Sequence, residues 1–80
     1  MKRVIICDEE MESVSKLSTM IGQIFPKQFL LHGYVSAKQL FYEIEDGFIR
    51  TADIIFLSME IKQVTEIDFA VYIQQKFPMA

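Results

Sequence analysis

The stretch "ADIIFLSMEI", Ala52 to Ile61, decides how the chain is read. Four apolar residues, Ile54 to Leu57, stop abruptly at Ser58, and the acid Glu60 follows. A short unbroken apolar run bounded by polar residues suits a strand buried on both faces, the kind that fills parallel sheets. The reading of this strand is Asp53 to Leu57. Near the N-terminus "RVIICDEE" repeats the pattern, with Arg3 to Cys7 as a strand that breaks into Asp8, Glu9 and Glu10. In a parallel sheet both of these strand ends share one rim, and that rim is where ligands and chemistry collect.

The segments between them change period. Val14, Leu17, Ile21, Ile24 and Phe25 recur at steps of three and four, which predicts a helix over 11–25 with these residues facing inward. Glu10 and Glu12 suit its positive N-terminal end, and Pro26 ends it. "QFLLHGYV", Gln28 to Val35, carries the aromatic and branched content of a strand. Ser36 then fits an N-cap with Gln39 three residues on, Leu40, Phe41 and Ile44 form an apolar stripe, and Gly47 is placed to close the helix. After "SMEIKQV", Thr65 is expected to cap a last helix with Ile67, Ala70, Ile73 and Phe77 inside, up to Pro78. Strands alternating strictly with helices indicate a parallel sheet with helical crossovers.

Composition bounds the function. Eighty residues make one domain, 51% hydrophobic, with a formal charge of −3 that gives no electrostatic support to nucleic-acid binding. No apolar run approaches the roughly 18–20 residues that span a bilayer, and the run after Lys2 and Arg3 is cut by Asp8, unlike a signal peptide. A cytoplasmic location is expected. The single Cys7 has no disulfide partner and reads as a buried, reduced thiol. His32 lies inside a strand and reads as a surface or half-buried residue, not a ligand. Phe69, Ala70, Val71, Tyr72 and Ile73 make the last helix apolar on more than one side, which reads either as a second covered face or as scattered surface hydrophobes.

"VIICDEE" followed by "ADIIFLSMEI" resembles the receiver domains of two-component response regulators. It is most similar to the branch whose receivers begin "ICDDE", read "DIIFLDIEMPGMDG" at the third strand and commonly precede a LytTR-type DNA-binding domain. "YVSAKQLF" before the second helix and the "FP" that closes the third extend the likeness over the whole chain. The resemblance implies an α/β, flavodoxin-like (CheY-like) three-layer fold with sheet order 2-1-3 and three helices. Residues 1–80 would form one truncated domain, without the last two strand–helix units and the Thr/Ser and Lys they contribute. It also implies that Asp8 and Glu9 match a Mg²⁺-holding pair and the backbone carbonyl of Glu60 the third protein ligand. Ser58 falls on the phosphoacceptor aspartate.

A serine hydroxyl there is neutral, brings no charge to a metal and needs a general base to act as a nucleophile. Its phosphate ester would also lack the lability of an acyl phosphate. Where the family has Pro-Gly the chain has Lys62-Gln63, and Glu66 replaces a later glycine. The expectation is a non-enzymatic, pseudo-receiver signalling module that acts by protein contact, with no cofactor beyond weak Mg²⁺ binding. The apolar edge of the third strand, Ile54, Ile55, Phe56 and Leu57, and the helix residues Val71 and Tyr72 are the expected contact surface. Self-association through that edge, or by exchange of elements, is expected. Two alternatives stand beside this reading: a phosphorylatable receiver fragment of a transcriptional regulator, and an unrelated flavodoxin-like fragment. The last would need a glycine-rich phosphate loop, which "CDEEMES" does not supply.

Overall fold

A computed structural model describes residues 2–80. The elements run β1 (Lys2–Cys7), α1 (Met11–Ile24), β2 (Phe29–Tyr34), α2 (Ala37–Glu45), β3 (Ile54–Leu57), β4 (Gln63–Val64), β5 (Ile67–Asp68) and α3 (Phe69–Lys76). The sheet has the order β2-β1-β3, and both pairings are parallel. The fold is therefore the mixed α/β arrangement that alternating strands and helices require, in a short flavodoxin-like form.

β1 is central, and Val4, Ile5, Ile6 and Cys7 are all at most 2% exposed, so the unbroken apolar run marks burial on both faces. Alternation divides it. Ile5 and Cys7 join the larger core with Leu40, Phe41 and Ile44 of α2 and Phe69, Tyr72 and Ile73 of α3. Val4 and Ile6 meet Val14, Leu17 and Ile21 of α1 on the other face. α1 packs close because β2 has Gly33 beneath it: a Cβ there would stand 2.7 Å from Val14 Cγ1.

Local chemistry sets the helix ends. The Ser36 hydroxyl accepts the Gln39 N–H at 3.1 Å, while the Gln39 amide turns to Glu43 at 2.9 Å, so half of the reciprocal capping pattern forms. Gly47, at φ 81°, donates to the Ile44 carbonyl and Phe48 to that of Glu43, the paired bonds of a glycine-closed helix end.

Two expectations need correction. The helix over 11–25 ends at Ile24, where Phe25 leaves helical geometry at φ −125° and ψ 68°, and Ile24 and Phe25 are 61% and 43% exposed. Thr65 does not cap the last helix. Thr65 and Glu66 instead form the two-residue turn of a β4–β5 hairpin, at φ 49° and 67°, and Asp68 is the N-cap, accepting the Val71 N–H at 3.2 Å. The inward stripe is accordingly Phe69, Tyr72, Ile73 and Phe77, leaving Ile67 and Ala70 exposed. The winning term is the burial of Phe69, fully enclosed at 0% exposure; an aromatic ring of that size outweighs a threonine cap.

Candidate functional site

Because Cys7 pairs with Leu57, the next residues, Asp8 and Ser58, leave the sheet side by side on adjacent strands. The Asp8 amide donates to the Tyr34 carbonyl and the Ser58 amide to the Cys7 carbonyl, both at 3.0 Å, which prolongs the ladder by one rung at this rim. Asp8 and Ser58 line one open cavity of about 250 Å³, with Ser13 and Leu17 of α1 and Phe56 of β3.

Both side chains do the same local work. Asp8 Oδ1 accepts the Glu10 N–H at 2.9 Å, and Ser58 Oγ accepts the Glu60 N–H at 3.2 Å. These are side-chain-closed turns that carry the chain out of a strand. The serine keeps the turn and drops the charge.

Glu9 is exposed and borders a different cavity, about 400 Å³, together with Glu60, Lys38, Lys62 and Thr65. The two acids at the end of β1 thus open onto two neighbouring hollows, Asp8 with Ser58 and Glu9 with Glu60. Among the described residues no three His, Cys, Asp or Glu side chains converge as a cation cage. One oxygen of Asp8 is already engaged by a backbone N–H, and hard cations ask for six or more oxygens. The donor set fits Mg²⁺ poorly.

Cys7, beneath the rim, is 1% exposed, and its thiol is pushed up to about 12, first by burial and then by the charges of Glu9 and Asp8. It is an inert packing residue. His32 packs on the α2 side of β2 with its Nε2 buried and unpartnered.

Two tyrosine–carboxylate bonds, invisible in the sequence, tie α2 to its neighbours. Tyr34 Oη donates to Glu43 Oε1 at 2.7 Å, and Tyr72 Oη donates to Glu45 Oε2 at 2.6 Å, with Lys76 Nζ 3.5 Å from the same oxygen. The tyrosine bonds hold both carboxyl groups below their ordinary range. Both phenols are pushed up, first by burial and then by the bond to the carboxylate.

The expected contact residues divide by environment. Ile54 and Phe56 project on the α1 side of the sheet, beyond α1's cover, and are 38% and 40% exposed. Ile55 and Leu57 face the larger core, half-buried. Leu57 and Ile55 also border an open groove of about 670 Å³ running from β3 to Lys62, Asp68 and Ala70. Val71 is 47% exposed, whereas Tyr72 lies inside, its ring 4.9 Å from Phe41 and 5.9 Å from Phe69. Among the described residues, no helix is long and apolar enough to cross a membrane. Comparisons with protein-family models, with curated proteins and with solved structures find no match to the chain.

Proposed function

We propose that the chain is a receiver-like signalling module in which the phosphoacceptor position is held by Ser58, so that it works by protein contact and not by phosphoryl transfer. One observation carries the reading: the acid after β1 and the serine after β3 stand next to each other on one rim of a parallel 2-1-3 sheet. A receiver needs its metal-holding acid and its phosphoacceptor in that juxtaposition. Glu66 adds support. It holds φ 67°, a left-handed conformation at the position where the resemblance has glycine.

The chemistry left at the rim is thin. Ser58 shares one cavity with Asp8 and the groove on its other side with Lys62, and among the described residues neither is hydrogen-bonded to its hydroxyl to act as base; the hydroxyl is engaged by the Glu60 N–H instead. Transfer of a phosphoryl group needs cationic stabilisation of the charge on the moving oxygens, and Asp8 alone does not assemble it. The module is accordingly non-enzymatic, without a resident cofactor, and its setting is the cytoplasm, where two-component signalling operates. The test is incubation with a small acyl phosphate and Mg²⁺, followed by intact-mass measurement. An unmodified chain is expected. A single acid-labile phosphate adduct would make this a working receiver and overturn the reading.

A further inference from the structure

β3 hydrogen-bonds to β1 on one side only. Among the described residues no strand covers its other side, and β4 and β5 pair with each other in a separate hairpin. The outer edge of Ile54–Leu57 is thus a free row of backbone groups, with no proline, lysine or inward charge to blunt it. Beside it Ile54 and Phe56 stand exposed on one face, and the groove bordered by Ile55 and Leu57 opens on the other.

Charge is distributed along the strand direction. Lys2 and Arg3 lie at the rim where β1 begins, with Asp53 tied there to the Arg3 N–H at 2.8 Å. Asp8, Glu9, Glu10 and Glu60 lie at the rim where β1 and β3 end and outnumber Lys38 and Lys62, which share a hollow with Glu9 and Glu60. Two copies joined edge to edge with parallel strands would set acid beside acid. Antiparallel copies set the basic rim of each beside the acidic rim of the other.

We propose that a second copy of this chain pairs with the free edge of β3, antiparallel, across a two-fold axis perpendicular to the sheet, giving one continuous six-stranded sheet. Such an axis keeps each face on its own side, so opposed residues share a face. Centred on Ile55, the register sets Ile54 of each copy against Phe56 of the other and covers both exposed side chains twice over. This register opposes Asp53 to Leu57 at its ends, whereas one centred on Phe56 would oppose Ile54 to Ser58 and leave the exposed Ile54 without an apolar partner. The pairing deepens the contact role proposed above and rests on it for its meaning. The phosphoryl-donor experiment and the one below fail independently, because a monomer would leave Ser58 as inert as before.

Four residues of strand make a small interface by the standard of roughly 800 Å² per partner in stable dimers, so a concentration-dependent equilibrium is expected. Sedimentation equilibrium over roughly 1 µM to 1 mM should show monomer and dimer. Phe56→Lys and Ile54→Lys, checked as folded by circular dichroism, should each raise the dissociation constant at least tenfold. A monomer at every concentration, or Lys variants that dimerise as the parent does, overturns the pairing. Register is read by mixing Ile54→Cys and Phe56→Cys chains under mild oxidation. Opposed Cβ atoms in antiparallel pairs lie within about 4.5–5.5 Å, so the mixed disulfide should predominate over both symmetric ones. A statistical mixture, or an excess of symmetric disulfide, overturns it even if a lysine variant fails to fold.

Discussion

The β4–β5 turn offers a quantitative test of how the structure departs from the sequence pattern. Thr65 and Glu66 both hold positive φ, at 49° and 67°. This is the backbone of a two-residue hairpin turn that favours Asn followed by Gly. An L-residue in that region costs about 1–2 kcal/mol, and a β-branched residue is the least tolerant. Thr65 recovers part of this through its hydroxyl, which donates to the Val64 carbonyl at 2.7 Å, a bond worth about 0.5–1.5 kcal/mol net. Glu66 makes no such bond in the structure, and replacing it with glycine gives up about 0.5–1 kcal/mol of chain entropy. Each of Thr65→Asn and Glu66→Gly should therefore stabilise by about 0.5–1 kcal/mol, and the pair by about 1–2 kcal/mol. For a domain of this length that raises Tm by roughly 4–16 °C. The assay is thermal unfolding by circular dichroism, with Gln63→Gly as the control. Gln63 is in β4, where glycine should lower stability by roughly the same 0.5–1 kcal/mol. If glycine at 66 destabilises as much as glycine at 63, the turn is not left-handed and the hairpin assignment is wrong.

Gly33→Ala should destabilise by about 1–3 kcal/mol, because its new methyl meets Val14 Cγ1 at 2.7 Å, whereas Gly22→Ala, inside α1 with open space around it, should stabilise by about 1 kcal/mol; paired denaturant titrations separate them. His32→Leu removes a buried ring nitrogen that has no partner and should raise stability by about 1 kcal/mol in the same assay, while a loss would mean that the nitrogen is satisfied. The tyrosine–carboxylate pairs make stability depend on pH at both ends of the range. Glu43 and Glu45 are lowered from 4.5, so their contribution is full above that value and is lost as pH falls through the lower folded values. Tyr34 and Tyr72 are raised from 10.0, so theirs is full below pH 10 and is lost as pH rises through the higher folded values. Urea midpoints against pH should fall in both windows, and Tyr34→Phe with Tyr72→Phe should flatten both falls; an unchanged profile in the double variant would assign the dependence elsewhere.

Strand type was legible because β1 is apolar on both faces and breaks into acid at one point, whereas the order 2-1-3 came from the resemblance and not from the pattern. The caps of α2 were legible for the same reason: Ser36 and Gly47 sit where their backbone chemistry is needed. The hairpin was not. A two-residue turn is recognised by Gly, Asn or Asp, and Thr65-Glu66 carries none of them, so the positive φ values have no local signature. Ser36 and Thr65 look equally good as caps in isolation. Only the burial of Phe69, a long-range event, moves the start of α3 to Asp68. The rim residues divide likewise. That Asp8 and Ser58 stand together follows from strand order, but that Glu9 turns to a separate hollow with Glu60 depends on loop paths that no spacing rule records. Tyr72 was grouped with Val71 by hydrophobicity, and only the rotation of α3 sends one inward and the other out.

The central claim is that position 58 shares a rim with the β1 acid, and Ser58→Asp tests it most directly. Neighbouring strands lie about 4.8 Å apart, so a carboxylate there faces Asp8 at close range and the two repel. Titration with Mg²⁺, followed by amide chemical shifts, should show at least tenfold tighter binding in Ser58→Asp than in the parent. The largest shifts should fall at Asp8, Glu9 and residues 58–60, and millimolar Mg²⁺ should restore stability lost in its absence. A variant that binds Mg²⁺ no better than the parent, or whose shifts spare Asp8, would place the serine away from the acid and contradict the account.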